Sequence, residues 1–350
     1  GGSLGNYAGV EVAEDAIYYC NNVDPSAVFK ANPDTGAVIW RREIGTSPRG
    51  TPVCGTVANP NGNPNVYVWL REDGQIVALD SVSGDEMWRC GGIVNTPLCQ
   101  IGPVIESGGK QVLFYFPDGV GVSGAIRDDG DSYTRLWHNK GPRSFTWIGS
   151  GTLSNDGSRI YVPTYWDNGA PSMYAIDPAT GDEIWSMRVG SHFSRASMNA
   201  DGTIYVGGHQ LSDTNPGGSL TAYIDLGECG DYKWQLHGIG NPVWDEITAV
   251  GSINGYIYCL SDGGWMSVVA DRGDRGEIIW ESDGSLGASV YGMPPAIDSD
   301  GTVYVGTNAR DVSTQKVYAF ASTEPPVPGE PGSVTVIVRD DNNVVQIGRA

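Results

Sequence analysis

The chain has little of what metal-bound and hydrolytic domains advertise. Only four histidines occur, His138, His192, His209 and His237, and no third ligand accompanies the His192 and His209 pair, so no metal site is expected. There is no CxxC pair, no GxSxG elbow, no HExxH and no P-loop, which removes the usual signatures of zinc ribbons, serine hydrolases, zinc proteases and nucleotide triphosphatases. No apolar run approaches the roughly 18 residues of a transmembrane helix. Basic residues are scarce, 21 against 41 acidic ones, and the net charge of −20 argues against nucleic acid or an anionic membrane surface as partner. No amphipathic helical period of useful length appears. The first residues, GGSLGNYAGV, have neither a basic region nor an apolar core, so they are not an intact signal peptide, and they lack a cysteine for lipid attachment.

What the chain does have is glycine, 50 residues, and a repeating hairpin. Residues 173–190, MYAIDPATGDEIWSMRVG, read as strand, turn and strand: the Asp-Pro-Ala-Thr-Gly segment is turn chemistry and the second strand carries Trp185. Related stretches end at Trp40, Trp88, Trp137, Trp234 and Trp280, giving spacings of 48, 49, 48, 49 and 46 residues. Fixed periods of this size signal repeat architectures. A second marker is a short β-rich run beginning at Ile17, Val66, Val112, Ile160, Ile204, Ile257 and Val303, seven in all. Most follow a tight Asp-Gly or Asn-Gly turn, a strong hairpin signal. Each repeat is therefore four strands: A before that turn, B the β-rich run, C the MYAID-type run and D the Trp run. Four-stranded sheets at this period, seven times over, predict an all-β, seven-bladed β-propeller. The blade tryptophans are expected to pack between neighbouring blades.

The consensus DG-x-[IV]-Y-V-G … [VM]-Y-A-[IF]-D-P-x-T-G-x-x-x-W resembles the PQQ-like propeller repeat over about residues 1–322. That repeat occurs in quinoprotein dehydrogenases and in the outer-membrane assembly lipoprotein of the β-barrel assembly machinery. The resemblance implies the fold and leaves activity open, because one scaffold hosts many functions. Dehydrogenases of this kind carry adjacent cysteines beside the quinone, a stacking tryptophan, and acidic and Asn ligands for calcium. No two cysteines are adjacent here, and the calcium ligands have no identifiable counterparts. The chain is therefore expected to be non-catalytic and without a cofactor.

The seventh repeat stops short. Where a Trp strand is due, residues 323–332 form a Pro/Gly-rich linker, and 333–350 follow with a strand candidate at 334–338. That segment closes the last blade, begins another module, or is donated to a neighbouring copy. Six cysteines are present, and Cys54, Cys90 and Cys99 are candidates for a disulfide in an exported protein; buried reduced thiols are the alternative. Loops between D and A, and between B and C, share one face of a propeller. Trp147, Trp166 and Trp244 fall there with Arg49, Arg143, Arg195, His192, His209 and Tyr291, a set suited to a sugar, peptide or carboxylate. The resulting expectation is an exported extracellular, cell-surface or periplasmic protein that serves as a protein-interaction or structural scaffold. Self-association through 333–350 is one variant. Glycan or peptide binding by the loop face and quinoprotein-type oxidation are the alternatives.

Overall fold

A computed structural model describes residues 10–13, 16–21, 25–45, 48–71, 73–93, 99–117, 123–138, 151–164, 172–187, 191–209, 218–240, 247–253, 255–261, 264–282, 295–297, 302–306, 317–322, 334–340 and 343–349. The described strands form seven antiparallel sheets, six of four strands and one of five. Blade 4 shows the plan: Thr152–Leu153, Ile160–Pro163, Met173–Ile176 and Glu183–Met187 follow one another in space as in sequence. The first strands of successive blades touch in turn. Val10–Ala13 meets Pro48–Ala58, which meets Cys99–Ser107; then come Thr152–Leu153, Ser191–Met198, Ile247–Ile253 and Ala296–Ile297, which returns to Val10–Ala13. The sheets therefore close a ring.

The core is divided among the seams between blades. Each sheet is apolar on both faces, so each seam holds its own buried cluster, such as Tyr67, Ala78, Trp88, Leu113 and Ile126 between blades 2 and 3. The pairing register explains why the tryptophans recur. In blade 2, Trp88 lies opposite Ala78, which lies opposite Tyr67, which lies opposite Val53. The same row reads Trp185–Ala175–Tyr161–Thr152 in blade 4 and Trp234–Ala222–Tyr205–Ser197 in blade 5. A small residue between two large aromatics lets both rings lean onto the next blade; their centroids are 5.8–6.0 Å apart in these three blades.

The next blade receives them with a carboxylate. Trp88 Nε1 donates to Asp128 Oδ1 at 2.8 Å and the Tyr67 hydroxyl to Oδ2 at 2.7 Å. Trp185 and Tyr161 hold Asp225 in the same way, at 3.2 and 2.6 Å, and Trp234 and Tyr205 hold Asp271 at 3.1 and 2.6 Å. At two other seams the acceptor is a turn carbonyl: Trp40 donates to Ser81 O and Trp137 to Pro178 O. Blade 3 has Phe114 in the tyrosine place, opposite Ala125, and so offers one donor only. Burial, with the partner carboxylate second, pushes the Tyr67 hydroxyl well above its ordinary pKa, so it stays a donor.

All six Trp strands share a further device. The register slips between the tryptophan and the residue two before it, leaving Ile39, Met87, Leu136, Ile184, Lys233 and Ile279 as bulge residues. A bulge twists an outer edge away from strand-to-strand addition.

The seventh sheet departs from this plan. After Val317–Ser322 come Val334–Asp340 and an outermost Asn343–Arg349. Ala319 faces Ile337, and the register there runs without a slip. The tryptophan row is therefore absent from this sheet, and its register slip falls instead between the two outermost strands, at Thr335/Val336.

One expectation is corrected. All six cysteines are free, so no disulfide joins Cys54, Cys90 or Cys99. Cys54 lies on a first strand against the blade 1–2 core, whereas Cys90 lies on a fourth strand, with an Arg135 guanidinium nitrogen 3.5 Å from its sulfur. Cys20 and Cys259 are buried small apolar residues in separate seams, and burial pushes both thiols up.

Candidate functional site: the central channel

The inner ends of the rows form a cavity of about 390 Å³. Every blade contributes a first-strand residue, among them Glu11, Val53, Ile101, Thr152, Arg195, Val250 and Ile297. Apolar side chains alternate with Thr152, Ser197, two charged residues and glycine backbone, and the surface they expose is more polar than apolar. Among the described lining residues, the charged side chains are Glu11 and Arg195.

Glu11 is placed by the blade 1 row, Trp40–Lys30–Tyr18–Glu11, where it takes the position held by Val53, Thr152 and Ser197 elsewhere. Burial raises its carboxyl to a pKa of about 7, against the opposing pull of Arg195 and of the Cys54 backbone amide. Arg195 is placed by a wider bulge. His192 faces Gly208 and Ala196 faces Val206, so residues 193–195 stand against Gly207 alone. Ser194 pins this bulge: its hydroxyl accepts the Gly207 amide at 2.6 Å and donates to Arg195 O at 2.9 Å. Bulges re-aim side chains, and this one carries the guanidinium into the channel. Burial lowers the Arg195 pKa to about 10 while Glu11 raises it, so the group remains a cation at neutral pH.

A smaller cavity of about 210 Å³ lies on the A–B turn side, beside Asn59, Lys110 and Asp128. Next to it, Asp80 is enclosed by the amides of Asn59, Asn61 and Asn63 at 3.0–3.2 Å. Burial opposes its charge, but the Ser83 amide and these three side chains outweigh it and hold the carboxyl well below its usual range. Asn59 then bonds Asn65, which bonds Asp128, so this network ties blade 2 to blade 3.

Of the residues expected on the loop face, the structure assigns Arg195 to the channel wall. Arg49, His192 and His209 lie on strands opposite Trp69, Gly208 and Ser191 respectively, with side chains outside the described set. Trp147, Trp166, Trp244, Arg143 and Tyr291 lie outside the described residues. Of the blade tryptophans, Trp88, Trp137, Trp185 and Trp234 are buried, and Trp40 and Trp280 are partly so. Sequence reasoning missed Glu11. The signal was an acid at the centre of GVEVA, a position that the repeat keeps uncharged in the other first strands whose row is regular.

Seven sheets closed into a ring around a channel define a β-propeller. Its repeats are of the PQQ-like kind: a family profile described as outer membrane protein assembly factor BamB matches residues 125–264. A polyvinylalcohol dehydrogenase from Sphingopyxis sp. (strain 113P3) is 28% identical over 334 residues, covering 83% of this chain and 46% of that protein. The chain thus spans less than half the length of that curated relative. Among solved structures, BamB from Moraxella catarrhalis aligns over 93% of this chain and 97% of its own, with TM-score 0.56 and 14% identity. Kuenenia stuttgartiensis hydrazine synthase aligns over 90% and 95%, with TM-score 0.64 and 12% identity. A europium-containing methanol dehydrogenase aligns over 92% and 83%, with TM-score 0.52 and 13% identity. At these identities the structural likeness establishes the fold alone.

Among the described residues, the donor set of the channel does not match the quinone cradle that the resemblance would imply. The chain has no adjacent cysteines, and the channel supplies one guanidinium and one carboxyl among its described residues, where the family's dehydrogenases combine paired cysteines with several calcium ligands.

Proposed function

We propose that this propeller is an exported, non-catalytic scaffold that binds other proteins through its outer rim. The carrying observation is the repeated exposure of apolar bulge residues: Ile39 is 53% exposed, Leu136 44% and Ile184 39%, at one equivalent position in three blades. Isolated exposed apolar residues need no explanation, but recurrence at a single position of the repeat does. Further exposed apolar side chains are Val38 at 47%, Val82 at 58%, Leu226 at 58% and Tyr232 at 50%. The match to an assembly-factor profile supports the same reading. On this reading the propeller body runs over 1–322 and 333–350 belongs to the last blade, a boundary supported by the pairing of Val334–Asp340 with Val317–Ser322; the expected linker at 323–332 lies outside the described residues.

Photo-crosslinkers placed at Ile39 and Ile184 in the native host are expected to give discrete adducts, and one at Asp34 in an exposed turn none. Equal yields from all three sites would remove the rim as the binding surface. A second reading, quinone-dependent oxidation, is favoured by the polyvinylalcohol dehydrogenase match. It requires dye reduction by the native protein after addition of the quinone and calcium, and the scaffold reading requires its absence.

A further inference from the structure

We propose that the central channel binds a compact organic monocarboxylate, with Arg195 pairing the carboxylate and Val53, Ile101, Val250 and Ile297 enclosing the apolar body. The inference is independent of the rim and goes beyond scaffolding.

The argument begins with space. A cavity of about 390 Å³ is within the size range of small-molecule sites, and Val53, Ile101, Val250 and Ile297 give it an apolar portion beside its polar groups. All seven first strands wall it, so its shape is set by ring closure and is ready before any ligand arrives.

The polar group is built in. Three residues, 193–195, occupy the span opposite Gly207, and Ser194 locks that extra length with two hydrogen bonds of 2.6 and 2.9 Å. The result is a guanidinium on a rigid strand. Its planar fork matches a carboxylate in two parallel bonds.

The second charged group sets the ligand's valence. Glu11 is faced by Arg195 from blade 5, by the Cys54 amide and thiol from blade 2, and by Tyr18 across its own sheet. Desolvation holds it near half-protonated at neutral pH, so it offers a carboxyl O–H to an anion as readily as a repelling charge. One cation and one acid close to half-protonated fit one carboxylate. A primary amine would meet the guanidinium, and a polycarboxylate would find no second cation among the described lining residues.

The test is calorimetric titration of the full chain at pH 6.5 with hexanoate, hexan-1-ol and hexylamine. Hexanoate is expected to bind, and the alcohol and amine at least about tenfold more weakly, the equivalent of roughly 1.4 kcal/mol. Arg195→Gln is expected to weaken hexanoate by at least about tenfold, and Arg195→Lys, which keeps the charge and loses the fork, by a smaller factor. Should the Gln variant fail to fold, the Lys variant decides. No hexanoate binding, equal binding of hexan-1-ol, or hexanoate affinity unchanged in the folded arginine variants would overturn the proposal. Crosslinking at Ile39 and Ile184 reads the rim separately, so failure of either reading is distinguishable from failure of the other.

Discussion

At the scale of single residues, the seams are held by buried donors that converge on one acceptor. Asp128 receives Trp88, Tyr67, Asn65 and the Gly130 amide. Removing one such donor leaves a buried lone pair unsatisfied. Trp88→Phe is therefore expected to cost about 1–3 kcal/mol in urea denaturation, beyond the change in volume. Trp137→Phe should cost less, because Pro178 O is a neutral acceptor. Glu11 gives a pH-dependent prediction. Its folded pKa of about 7 exceeds the ordinary 4.5, so its contribution is most favourable below about pH 4.5 and is lost as the pH rises through 7. Glu11→Gln is expected to leave stability unchanged at pH 4 and to raise it by up to roughly 3 kcal/mol at pH 8, read from denaturant midpoints. Equal effects at both pH values would show that the carboxyl is not desolvated. The tryptophans themselves were legible in the sequence through their spacing. Their acceptors were not: Trp88 and Asp128 are 40 positions apart, and only the stacking of blades brings them together.

At the scale of the element, the C–D hairpin is both a turn and a platform. Gly181 has φ +75°, and a Cβ there would lie 2.6 Å from Trp137; Gly84 has φ +74° and faces Trp40 at 3.1 Å. Gly36 occupies the same turn position in blade 1 with φ +70°, but no atom lies within 4 Å of its added Cβ. Gly36→Ala should therefore cost only the left-handed backbone penalty, about 1–2 kcal/mol. Gly181→Ala should cost about 1–3 kcal/mol more, because the indole must move. Thermal melts of the two variants compare the terms directly, and equal shifts would show that the indole contact contributes nothing. Turn glycines are legible in sequence because positive φ and Asp/Asn chemistry are local. The bulge before each tryptophan is not, since a register slip exists only relative to the partner strand.

At the scale of the whole molecule, the ring closes between blades 7 and 1, where Ala296–Ile297 and Val303–Gly306 meet Val10–Ala13. Removing residues 334–349 would leave Val317–Ser322 with one edge unpaired. Such a truncation is expected to lower the melting temperature and to increase association in light scattering. An unchanged melt with a monomeric mass would place this segment outside the ring's energetics. Self-association through 333–350, if it operates in solution, predicts that the full chain shows the higher mass instead.

The sequence by itself determined the strand pattern, the hairpin turns and the count of seven repeats. Alternation, turn residues and a period near 48 residues are properties of neighbouring positions, and neighbours are what a sequence displays. Tertiary structure decided the carboxylate clamps at the seams, the free state of the cysteines, and the transfer of Arg195 from an expected loop site to the channel wall. It also decided that Glu11, one acid among 41 acidic residues, sits in the channel with its pKa raised to about 7. Those outcomes depend on which first strands converge at the axis and how much water they exclude there. Both follow from closing the ring, and neither is a property of any single repeat.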